Sequence, residues 1–221
     1  MKSTLFAAIL AGAFLLGGCG EKAKDSTEVA ENANEAMVDS GATGLAGDDK
    51  DDKMDDAEWM VKAAESGMFE IQTSKLAQQR GTSADVKKFA AMMITDHTKA
   101  SNELKTVAAG KNVQLPVALG TGMQEKLDEL SKENGVKFDE KYMSMMKDAH
   151  EKDVEHFRDG MEDAQDPALK TFASKTLPVI EHHLSMAGPM EEKHEDHADN
   201  AGNKVGDDHK SDASHGNGSG H

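Results

Sequence analysis

Four side chains of this 221-residue sequence combine metal-ligating chemistry with unusual positions: Glu70, His97, His150 and His183. Each falls on a stripe that is otherwise apolar or small at helical spacing. Val86, Ala90, Met93, His97, Ala100, Leu104 and Val107 follow the 3,4 pattern, as do Met143, Met146, His150, Val154, Phe157 and Met161. Leu169, Ala173, Thr176, Ile180, His183 and Ala187 form a third stripe, and Met60, Ala63, Gly67, Glu70, Ser74 and Ala77 a fourth. Imidazole and carboxylate are common ligands of transition metals, and one Glu with three His suits Zn²⁺ or Fe²⁺ better than Mg²⁺ or Ca²⁺. The same four groups can instead form a buried Glu–His network that fixes helix register without any metal. The spacing alone leaves both readings open.

Softer chemistry lies one turn away. Met93 precedes His97 by four residues and Met146 precedes His150 by four, so each pair shares a helix face. Thioether beside imidazole suits Cu(I), although Met is also an ordinary filler of irregular cores. Five further histidines (His194, His197, His209, His215 and His221) are interleaved with Asp and Glu near the C-terminus. Such a tract binds Zn²⁺, Ni²⁺ or Cu²⁺ loosely, or is simply a solvated acidic tail. The single cysteine, Cys19, follows Leu16-Gly17-Gly18 and an apolar run from Leu5 to Leu16 behind Lys2. That order resembles the lipobox of bacterial lipoproteins, with Cys19 the lipid acceptor; an ordinary cleaved signal with a chance Cys is the alternative. With Gly20 rather than Asp after the cysteine, the expected address is the outer membrane, facing the periplasm.

Helices must position the four central groups. Asp55 or Asp56 is a fitting N-cap for a helix that reaches about Gln79 and stops at Gly81. Thr82-Ser83-Ala84-Asp85 starts a second helix, to about Ala109. Residues 111–122 read as a loop, 123–133 as a short helix, 139–161 as a third long helix. Asp166-Pro167 opens the last one, which runs to about Met186 with an interruption at Pro178. Counted from the turns, Glu70, His97, His150 and His183 lie at depths that agree within about 9 Å at 1.5 Å per residue. The expected fold is therefore all-α, an antiparallel four-helix bundle with one short extra helix. The expected division is a signal peptide over 1–18, a disordered acidic tether over 19–57, the folded domain over 58–190 and a disordered His-rich tail over 191–221.

Composition narrows the function classes. Lys and Arg number 25 against 41 Asp and Glu, a formal charge of −16, which argues against nucleic acid. One Cys excludes a disulfide framework and an iron–sulfur cluster. No phosphate loop, G-x-S-x-G or H-E-x-x-H motif is present, and no catalytic residue is assigned.

The segments GMFEIQTSKLAQQ (67–79), KKFAAMMITDHTKASNEL (87–104), FDEKYMSMMKDAH (138–150) and DPALKTFASKTLPVIEHHL (166–184) resemble, in this order, an exported bacterial family. It is the domain of unknown function numbered four-one-four-two, described as ferritin-like and labelled an outer membrane protein. The likeness covers about residues 57–188. Its recurring positions fall on Glu70, Asp96, His97, Phe138, Asp139, Tyr142, His150, Pro178 and His183. It implies a ferritin-like helical fold outside the cytoplasm and brings no established activity. A di-iron carboxylate site needs Glu-x-x-His on two helices. Ile94, Lys147 and Ile180 occupy the −3 positions here, so ferroxidase chemistry is not expected. The reading is a lipid-anchored envelope protein binding Zn, Fe or Cu, or a structural or interaction module without metal; a metal enzyme comes third. No protein partner is identified from the sequence.

Overall fold

The computed structural model describes residues 24–202, and these are all-helical, with no strand among them. Six helices follow in order: α1 (Ser26–Asp39), α2 (Lys50–Arg80), α3 (Ala84–Lys111), α4 (Thr121–Lys132), α5 (Val136–Glu162) and α6 (Pro167–Gly202). Helices α2 and α3 form one hairpin and α5 and α6 another. The hairpins face each other through α2 against α5 and α3 against α6, and α4 crosses beside α2 and α5. None of the described helices is long and apolar enough to cross a membrane.

Local chemistry sets the ends. Ser83 caps α3 by accepting from Val86 N. Asn112, at φ 56°, ends that helix in the left-handed region that Asn tolerates. Gly135, at φ 64°, leads into α5, where a side chain would be strained. The turn between α2 and α3 is held by Asp139 of α5, whose carboxylate accepts from Thr82 N, Thr82 Oγ1 and Ser83 N.

Three expectations need correction. The tether expected over 19–57 contains helix α1 and the first turns of α2. Ala30, Asn34 and Val38 of α1 share one buried face at i, i+4 and i+8. Asn34 there trades two hydrogen bonds with the Gln114 backbone, at 2.9 and 2.7 Å. Leu45 beyond it is buried in the core. The acidic run at Asp48–Asp52 leads into α2, which begins at Lys50. Asp49 caps it by accepting from Asp52 N, and Asp51 and Asp52 face the positive end of the helix dipole. Second, Pro178 does not interrupt the last helix; α6 passes through both Pro178 and Pro189. Leu177 and Ile180 are buried on either side of Pro178, so packing holds the helix across the lost N–H. Third, the tail expected from 191 onward is helical as far as Gly202. Residues 1–18, expected to be a signal peptide, Cys19, the side chains of His194 and His197, and His209, His215 and His221 lie outside the described residues.

Two apolar clusters fill the interior. One gathers Trp59, Met60, Leu104, Phe157, Leu169 and Phe172. The other gathers Phe69, Phe89, Met93, Phe138, Tyr142 and Met146. Met93 and Met146 are completely buried in the second cluster, and the Met146 sulfur lies 4.0 Å from Thr73 Oγ1. The first cluster turns on Trp59, which stacks on His156 at 4.7 Å and donates from Nε1 to the His156 carbonyl at 2.7 Å. Gly160 provides the flat wall for that indole, since a Cβ there would meet the ring at 2.5 Å.

Candidate metal centre

Among these apolar side chains, the four long helices each contribute one of the four groups singled out by spacing. Glu70 comes from α2, His97 from α3, His150 from α5 and His183 from α6. Glu70, His150 and His183 are 0% exposed and His97 is 7% exposed. Helical spacing put each on its inward stripe, and the antiparallel register brings them to one level.

The three rings converge edge to edge. His97 Nε2 lies 3.3 Å from His183 Nδ1, and His150 Nε2 also lies 3.3 Å from that atom. The ligand atoms of all three fall within 4.8 Å of one another. Tetrahedral bonds of about 2.0–2.1 Å from a metal to imidazole place ligand nitrogens about 3.3–3.4 Å apart, the spacing that His183 Nδ1 keeps to each of the other two rings.

The outward nitrogens decide the protons, which follow from their partners. His150 Nδ1 lies 2.8 Å from the Met146 carbonyl, which only accepts, so Nδ1 carries the hydrogen and Nε2 a lone pair. His183 Nε2 lies 3.1 Å from Asp96 Oδ2, which assigns its hydrogen to Nε2 and a lone pair to Nδ1. Two lone pairs thus face each other across 3.3 Å, and no hydrogen bond can form between them. A buried acceptor left without a donor costs about 1–3 kcal/mol. A cation shared by the rings removes that cost.

Glu70 stands behind the rings, with Oε2 2.8 Å from His97 Nδ1 and Oε1 3.1 Å from His150 Nδ1. These are ion-pair distances, yet neither oxygen has an aligned hydrogen-bond donor. The His150 hydrogen points at Met146 instead. Of the four residues singled out by spacing, then, the three histidines offer converging nitrogens, and Glu70 lies on the outer edge of two of them. Asp153, three residues after His150, is also buried near this site, with both oxygens 2.9 Å from Ser66 Oγ. Sequence reading passed over it, although its i+3 relation to His150 placed it on an adjoining inward face.

Burial shapes the electrostatics. It holds His97 and His183 down at about 4, against the pull of Asp96 on both and of Asp153 on His97. It lowers His150 too, against the pull of Glu70. All three are therefore neutral at pH 7, the form that ligates metals. Burial also raises Glu70 to about 7, opposed by His150, and Asp153 to about 8, with Glu70 adding to the rise.

The remaining family positions are structural here. Tyr142 is buried, its hydroxyl 2.8 Å from Ser74 Oγ. Phe138 lies under the Arg80 guanidinium at 5.3 Å. Asp139 holds the α2–α3 turn, and Pro178 lies within α6 five residues before His183.

The family model described as "Domain of unknown function (DUF4142)" matches residues 41–190. No curated protein matches the chain in sequence. In fold it is similar to a DUF305 fragment from Deinococcus radiodurans. That likeness has a TM-score of 0.55 at 8% identity and covers 62% of this chain and 95% of that one. It is similar also to CopM in its Cu(II)-bound form, with a TM-score of 0.53 at 17% identity, covering 62% of this chain and 96% of that one. At these identities the likeness concerns the fold alone.

Proposed function

The chain belongs to the DUF4142 family of domains of unknown function, and we propose that it is a transition-metal-binding protein of the cell envelope. The ligands are His97 Nε2, His150 Nε2 and His183 Nδ1. The carrying observation is the 3.3 Å approach of His150 Nε2 to His183 Nδ1 in a buried core, where the partners of the other ring nitrogens assign a lone pair to each. Asp96 and the Met146 carbonyl fix two of the ring tautomers from outside, as outer-shell partners of metal-bound histidines do. Glu70 supplies negative charge behind His97 and His150 and offsets the charge of the bound ion.

Copper is the first ion to test, because three imidazoles suit it and because CopM, similar in fold, has been captured with Cu(II). Zinc and iron are the other ions the donor set accepts. The proposal includes a lipid anchor on Cys19 that holds the protein at the outer membrane, facing the periplasm. The composition of residues 1–20 supports that placement.

A second reading has one observation in its favour. Glu70 lies within ion-pair distance of two rings, so a Glu–His network without metal would also organise this core. Elemental analysis of untagged protein, paired with a His97→Ala/His150→Ala double variant, separates the two. The metal reading expects one equivalent of ion lost in the double variant, and a melting temperature that a chelator lowers in the parent only. Equal metal content in both proteins, with melting indifferent to chelator and to added Cu, Zn and Fe ions, would leave the network as the better reading.

A further inference from the structure

Beside the three rings lies a cavity of about 30 Å³. A single water needs only about 10–15 Å³ of such space, so the cavity admits a ligand larger than one water. His97 and His183 form part of its wall, whereas His150 does not. Its wall mixes bulky apolar side chains such as Phe157, Phe172 and Ile180 with the small residues Ala63, Gly67, Ala100 and Ser101, and the small ones leave space unfilled. Its polar lining includes Glu70, completely buried, whose two carboxylate oxygens have no aligned donor.

Resting on the metal reading above, we propose that an ion held by the three histidines keeps a fourth coordination position open toward this cavity and takes an exchangeable small ligand there. The ligand class is water or hydroxide, or a small anion of two or three atoms. Three converging nitrogens leave one tetrahedral position uncovered, and three protein ligands plus one open place distinguish a reactive centre from a closed structural one. Because His97 and His183 border the cavity and His150 does not, the open position is assigned to that side. A water bound there brings two O–H donors into a space whose buried carboxylate lacks one.

Azide is the probe, added to full-length protein loaded with one equivalent of Cu(II). The expected result is an azide-to-copper charge-transfer absorption that saturates with azide and is absent from the His97→Ala/His150→Ala variant. Ala100→Leu fills the cavity and should weaken azide binding at least tenfold while leaving copper stoichiometry unchanged. Gly67→Ala serves the same purpose should Ala100→Leu fail to fold, because its added Cβ meets only Ser101 Oγ, at 3.3 Å. Copper bound through the histidines with no spectral response to azide would overturn the open position while leaving the metal reading intact. An unchanged azide affinity in the folded cavity-filled variant would overturn it as well. Failure of the histidines to hold copper would instead remove the metal reading and this inference together.

Discussion

Replacing Glu70 by Gln separates the cost of a buried charge from its use. In ion-free protein the Glu70 carboxyl is fully buried, and burial raises its pKa from 4.5 to about 7. A raised folded-state pKa means that the fold holds this proton more tightly than the unfolded chain does. The associated stability is complete below about pH 4.5 and is lost as pH rises through about 7. A displacement of 7 − 4.5 = 2.5 units corresponds to about 3 kcal/mol at 1.36 kcal/mol per unit. Glu70→Gln keeps the shape and cannot ionise. In the presence of chelator, the stability of the variant relative to the parent should therefore rise by about 2–3 kcal/mol between pH 5 and pH 8. For a chain of this size that is about 5–10 °C in melting temperature. His97 and His183, both held near 4, lose stability in the opposite direction, as pH falls from the ordinary His range. They are present in both proteins and cancel to first order. With metal the order reverses: the ion and its carboxylate stabilise each other, and the variant should bind about 10–100-fold more weakly. Urea titrations followed by circular dichroism, repeated across pH with chelator and with Cu(II), give both arms. A Gln variant less stable than the parent at pH 8 without metal would refute the reasoning, because Glu70 would then be a satisfied ion-pair partner.

Asp96→Asn should weaken metal binding about 10–100-fold, read by competition with a chromogenic chelator. Because Asp96 sits at the edge of the core, it should leave the ion-free melting curve within about 1 kcal/mol of the parent. Gly160→Ala drives a methyl into the Trp59 indole and should cost about 1–3 kcal/mol in a denaturant titration. Asp139→Ala removes the acceptor shared by Thr82 and Ser83 and should destabilise the fold by about 2–4 kcal/mol, with copper stoichiometry unchanged. If Cys19 carries the proposed lipid anchor, Cys19→Ser should move the protein from the membrane fraction of cells to the soluble fraction, since no other Cys is present to carry a thioether lipid.

What was legible in the sequence was what local rules control. Stripes at helical spacing located the long helices, and Ser83, Gly81 and Asp166-Pro167 marked their turns. Counting from those turns put Glu70, His97, His150 and His183 at depths within about 9 Å of one another. Helix α1 was not legible, because Ala30 and Val38 make a thin apolar face and the bonds that fix Asn34 go to Gln114, 80 residues away. Pro178 misled for a related reason: its local cost is real, and neighbours on other helices outweigh it. The division of labour at the site depends on ring orientation, which spacing cannot give. Nothing in the pattern says that Glu70 meets Nδ1 while His183 meets Nε2, or that Asp96, on the turn of His97, reaches the ring of His183 on another helix.

The chain separation of the three histidines bears on timing. Their nitrogens are 86 and 33 positions apart in the sequence at the two closest approaches, and they come from α3, α5 and α6. No partial chain ending before α6 contains the site, and an extended chain contains none of its geometry. On the metal reading proposed above, the three-histidine site can capture an ion only once the last helix has docked, so the surroundings in which docking occurs would choose the first occupant. Three imidazoles hold copper more tightly than the other first-row divalent ions, so affinity alone would favour copper wherever it is present. If the proposal holds, a site that closes this late would sample whatever ions the final surroundings supply, and the metal found in it would be a record of where the chain folded.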